Sequence, residues 1–112
     1  MAKASGSSND GDLSREIQLF STRALDLAKA VVDGTATGDD REAARELASQ
    51  LPQYSERARG MAEHYRTSAL KALADARLDL AFVAAEGKLP SSSRIGWYIQ
   101  EREAGAQPAD TE

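Results

Sequence analysis

DDREAARELASQLPQYSERARGMAEHYRTSALKALADARLDLAFVAAE, residues 39–86, decides the fold. Its periodicity reads as helix. Ala44, Leu47, Leu51, Tyr54, Ala58, Met61 and Tyr65 alternate at spacings of three and four, which places them on one helical face. Thr37, Gly38 and Asp39 offer capping residues at the start, and Asp39 with Glu42 has the form of a capping box. At the other end Gly87 suits the left-handed backbone after Glu86, and Pro90 stops continuation. Between these ends Ala, Leu, Arg and Glu dominate, and all are good helix formers.

Two interior residues oppose a single helix. Pro52 removes a backbone donor and crowds the preceding turn, at a cost of about 3 kcal/mol. Gly60 costs roughly 1 kcal/mol relative to Ala. A fresh helix at Pro52 would want Ser, Thr, Asp or Asn before it, whereas Leu51 stands there. The apolar spacing also passes Pro52 without losing phase. One long helix kinked near Pro52 is therefore expected, with a tight turn at Ser49–Pro52 and a compact bundle as the alternative.

Before this stretch, Leu13, Ile17, Phe20, Ala24, Leu27 and Val31 follow a heptad seam, widened by Leu25, Ala28 and Val32. A helix over 13–33 follows, capped by Asp12 or Ser14 and ended by Gly34. The short link 34–38 makes it an antiparallel neighbour of the next helix. At 1.5 Å per residue the first helix is about 30 Å long and the central one about 70 Å, so less than half would be covered. The uncovered end is apolar almost all round, through Leu78, Leu80, Phe82 and Val83, and must be buried on more than one side. Lys88, Leu89 and Pro90 turn the chain, Ser91–Ser93 cap a last helix over 94–104, and that helix is too short to cover the whole surplus. Residues 1–11 and 105–112 are polar and expected to be disordered tails. The expected class is all-α: a helical hairpin or elongated three-helix protein, one domain over 12–104.

Composition narrows function by exclusion. The chain has 112 residues, a formal net charge of −4 and no cysteine, so disulfide and thiol chemistry are absent and a general nucleic-acid binder is disfavoured. No apolar run reaches the length of a membrane span, and residues 1–30 lack the apolar core of a signal peptide. A cytoplasmic protein is the default. His64, the sole histidine, has no nucleophile or carboxylate at catalytic spacing on its face and reads as a solvated or interface residue. Asp75, Asp79 and Glu86 share spacing but cannot complete a cation shell from one helix, and Asp39, Asp40, Glu42 and Glu46 suit the helix dipole better than a metal. No catalytic, cofactor or metal site and no small-molecule substrate is expected.

Binding surfaces are what is left. Trp97, Tyr98 and Ile99 are consecutive on a short helix and cannot all turn inward. With Leu78 and Phe82 they form the expected protein-partner surface, since aromatics are enriched at interfaces. The excess apolar surface also suggests a homodimer. The alternative is a nucleic-acid face of Arg57, Arg59, Arg66 and Lys71, interleaved with tyrosines, though Glu56, Glu63 and Asp75 dilute it. The expected function is a non-enzymatic protein–protein interaction module: a small helical adaptor, chaperone-like protein or inhibitory regulator. That likeness is one of shape, and it carries over no residues from a known family.

Overall fold

The computed structural model describes residues 5–88 and 91–105, and these form four helices: α1 (Ser5–Asp33), α2 (Gly38–Arg59), α3 (Glu63–Ala84) and α4 (Ser93–Gly105). Among the described residues there is no strand. The all-helical class expected from the periodicity stands. The single long helix expected over 39–86, kinked near Pro52, does not. The chain continues as helix through Pro52 and breaks instead at Gly60–Ala62.

The break is stabilised from outside the helix. Met61 is 3% exposed, so its side chain is drawn into the core at the turn. Ala62 has an extended backbone and no side chain of its own to cap α3. Asp10 of α1 supplies the cap, its carboxylate accepting from the Ala62 amide at 2.9 Å. Gly60 keeps an ordinary right-handed conformation, so no special backbone freedom is used there. The apolar spacing is continuous in sequence because Met61, in the turn, and Tyr65, just after it, pack against the same core.

With the turn at Gly60–Ala62, the helices run up, down and up. α1 and α3 are parallel: Asp10 meets Ala62 at one end, and Ser21 Oγ donates to the Ala72 carbonyl at 3.0 Å further along. α2 runs against both, with the Tyr54 hydroxyl donating to Glu16 and Arg41 reaching Glu86. The core is a column of Ile17, Phe20, Ala24, Leu47, Leu73 and Leu80, with many alanines that let the helices approach closely. Phe20 and Tyr54 pack ring on ring with centroids 4.8 Å apart. The body measures 64 × 31 × 18 Å.

The helix ends follow local rules. Gly34 has φ +77°, and the Thr35 amide donates to the Ala30 carbonyl at 2.9 Å, closing a Schellman turn at the expected glycine. α2 starts with a reciprocal capping box made by Thr37 and Asp40, rather than by Asp39 and Glu42. At the end of α3, Gly87 donates to the Phe82 carbonyl and has φ +81°, but Glu86 precedes it at φ +56°. A glutamate thus occupies the left-handed position usually given to glycine, while its carboxylate takes both Nε and Nη2 of Arg41 at 2.6 and 2.7 Å.

α1 begins at Ser5, so residues 5–11, expected as tail, are helical. The calls on residues 1–4, on Leu89 and Pro90 of the turn, and on 106–112 lie outside the described residues. The uncovered end of the central helix also disappears. Because α3 folds back beside both α1 and α2, Leu80, Phe82 and Val83 are buried within the chain, and α4 lies over α1 and α3. The only large apolar side chains exposed among the described residues are Leu19, Leu78 and Trp97.

Candidate functional site

α4 is held by polar contacts more than by apolar area, since Ile95 is its only fully buried side chain. Ser92 Oγ accepts from the Ile95 amide at 3.3 Å and so caps the helix. The same hydroxyl donates to Asp79 of α3, whose side chain is wholly buried. Arg94 adds a fork: Nε and Nη2 reach Asp79 at 2.8 and 2.7 Å, and Nη2 also donates to the Ser21 carbonyl of α1 at 3.0 Å. One buried carboxylate therefore ties α3 to α4, and Arg94 extends the tie to α1. Burial pushes the Asp79 carboxyl above the usual carboxylate range; the Ser92 hydroxyl and the Arg94 guanidinium pull it back without cancelling that push.

A second clip lies further along. The Tyr98 hydroxyl donates to Asp33 at the end of α1 at 2.9 Å, and Arg102 Nε pairs with the same carboxylate at 3.1 Å. The bond to Asp33 is the largest influence on the Tyr98 phenol and raises its pKa. Lys29 sits 5.0 Å from the centre of the Tyr98 ring. Tyr98 and Ile99 face the bundle, where Ile99 packs on the core. Trp97 points the other way and is 67% exposed.

The expected partner-binding residues are therefore divided. Trp97 and Leu78 are exposed. Phe82 is 5% exposed and belongs to the core. Tyr98 and Ile99 dock α4. Where α1, α3 and α4 end together, Val31, Phe82 and Ile99 line an open cleft of about 480 Å³ with Arg102 on its rim.

The arginine set is also split. Arg57 and Arg59 end α2, whereas Arg66 and Lys71 belong to α3. Arg57 lies 5.8 Å from the centre of the Tyr54 ring, Arg59 pairs with Glu56, and Lys71 pairs with Asp75. His64 is exposed and stacks on Tyr65. The three acids read together in sequence part company: Asp75 faces Lys71, Glu86 faces Arg41, and Asp79 is buried against Arg94 rather than solvated. Among the described residues no group of three or more His, Asp or Glu side chains could hold a metal ion, and no helix is long and apolar enough to cross a membrane.

Asp79 is the residue that the charge pattern concealed. A signal was present: Asp79 stands three residues after Ala76 and four before Val83, on the core face, inside the most apolar part of the chain. An acid at such a position requires a buried partner. Nothing local names Arg94 as that partner. Comparison with protein-family models, curated proteins and solved structures finds no match to this chain.

Proposed function

We propose that this chain is a non-enzymatic, cytoplasmic protein–protein interaction module, a small helical adaptor, chaperone-like protein or inhibitory regulator, with Trp97 as its anchor. The observation that carries this reading is the exposure of Trp97, 67%, on a helix whose other faces are fixed by Asp79 and Asp33. A large aromatic on a fixed scaffold loses little conformational freedom on binding, and such residues are enriched among interface hot spots. Leu78, 44% exposed, and Leu19, 65% exposed, are the other large apolar residues on the outer surface among the described residues.

The experiment compares wild type and Trp97→Ala as baits in the native host's lysate and then with the purified captured partner. Trp97→Ala should weaken binding by about 2 kcal/mol or more, with the unfolding midpoint nearly unchanged. Trp97 is the only tryptophan, so emission from the free protein should be red-shifted and readily quenched, then move to the blue on binding. A blue, quencher-resistant emission from the isolated monomer would remove the anchor role. A second copy of the chain is an alternative partner for this face, and sedimentation at high micromolar concentration separates the two: a dimer lost in Trp97→Ala would assign the face to self-association.

The alternative reading, a nucleic-acid-associated regulator, draws on Arg57, Arg59 and Arg66 flanking the one turn at Gly60–Ala62. Binding through phosphates would fall steeply with salt. No binding to DNA or RNA at low salt would dispose of it.

A further inference from the structure

A bundle of three helices has an outer groove between each pair, and α4 shows how this chain fills one of them. α4 lies over α1 and α3 with Ile95 down, and it directs the cations Arg94 and Arg102 at the acids Asp79 and Asp33. The groove between α2 and α3 has no such cover. It forms two cavities that meet at Ala48, the larger about 600 Å³. Its floor is apolar, made of Leu51, Leu70 and Leu73, and Ala48 and Ala74 leave it open where larger side chains would close it.

Acids receive α4, whereas the charged side chains on this groove are mostly arginines, with Glu56 and Glu86 among them. Arg59 and Arg77 line the larger cavity, and Arg41 and Arg45 line the smaller. Arg41 is committed to Glu86. Arg59 and Arg45 make only solvent-exposed pairs with Glu56 and Glu42 on their own helix, and such pairs exchange at little cost. Arg77 takes part in none of the ion pairs among the described residues, in a chain whose formal net charge is −4.

We propose that the α2–α3 groove takes an amphipathic helix of a partner protein, apolar along the floor and acidic where it meets Arg59, Arg77 and Arg45. The occupant mirrors α4 with its charges inverted: branched apolar side chains pointing down, and carboxylates in the places where α4 carries arginines. A helix suits the site because the groove follows α2 from Arg41 to Arg59, which corresponds to about 27 Å, or five turns. This inference rests on the reading of the chain as an interaction module and adds a surface separate from Trp97.

The test uses the full chain, isotope-labelled, and a designed helical peptide of about 18 residues with leucine at i, i+4, i+7 and i+11 and glutamate on the flanks. Amide shifts should fall on α2 and α3 around Ala48, Leu51 and Ala74. Reversing the walls with Arg59→Glu and Arg77→Glu should weaken binding about tenfold or more, because like charges then face each other. Ala74→Trp should block the groove, and circular dichroism should show both variants folded. Trp97→Ala should leave peptide binding unchanged. Equal binding of a peptide carrying lysine in place of glutamate, shifts centred on α4, displacement by a short DNA strand, or no binding at millimolar peptide would each overturn the proposal. If the peptide fails while Trp97 still governs partner capture, the groove is withdrawn and the interaction module stands.

Discussion

Asp79 shows how much one residue decides. It is charged, wholly buried, and positioned to receive both the cap and the first arginine of α4. Truncating one member of a buried pair leaves the other without compensation and costs about 3–5 kcal/mol. Arg94 is partly solvated, so Asp79→Ala should fall near the lower end, about 3 kcal/mol by denaturant unfolding. The pH dependence has a definite sign. Burial raises the folded-state pKa above the ordinary aspartate value, so the fold favours the protonated group. Its contribution is fully present below the unfolded-state pKa of about 3.9 and is lost as pH rises through the raised folded value. Asp79→Asn does not titrate. The stability of wild type relative to Asp79→Asn should therefore decline as the pH rises through the carboxylate range, from about 4 upward. A rise over that interval would mean that Arg94 outweighs burial. The acid was visible in sequence as an interruption of an apolar face. Its partner was not, because Arg94 lies beyond a turn whose course no local rule specifies.

At the scale of elements, helical periodicity identified where helix exists better than where it ends. Gly34 and the start of α2 were legible because caps are local chemistry. The break at Gly60–Ala62 was not, because it is held by Asp10 and by the burial of Met61, both supplied by the tertiary fold. Pro52 drew attention as the costlier residue, yet it lies on the solvent side of α2, where a missing amide leaves a carbonyl that water can reach. Two substitutions separate these roles. Pro52→Ala restores a helix donor and removes the crowding of the ring, together worth about 3 kcal/mol, but frees the unfolded chain by about 1 kcal/mol, so a net gain of about 2 kcal/mol is expected. A large loss would show that the proline shapes a turn. Asp10→Ala removes the cap of α3 and should cost about 1 kcal/mol, with Asp10→Asn retaining most of it. Hydrogen exchange should localise the Asp10→Ala effect to the first turn of α3.

For the whole molecule, the turn at Gly60–Ala62 converts a spine into a bundle, and the surface available for function changes with it. In an unbroken helix over 39–86, the end around Leu80, Phe82 and Val83 would stand clear of α1 and demand a second chain. In the bundle those residues are core, and the remaining apolar exposure is single side chains on separate helices. This is why the exposure of the residues expected to meet a partner was only half legible. Exposure of Trp97 follows from a short helix with three large residues in a row, whereas burial of Phe82 depends on the course of the entire chain. The absence of cysteine allows a direct test. Arg45 and Ala84 line the same cavity across α2 and α3, and both are exposed. Arg45→Cys with Ala84→Cys, spin-labelled and diluted with unlabelled protein, should give one short distance. Neighbouring helix axes lie about 8–10 Å apart, so with label linkers the distance should be roughly 10–25 Å. A continuous helix would separate the same two positions by about 58 Å at 1.5 Å per residue. Dilution removes distances between copies, so a short distance that survives it belongs to one chain folded on itself. A population near the longer value would restore the spine, expose Phe82, and make a second copy of the chain the expected cover for it.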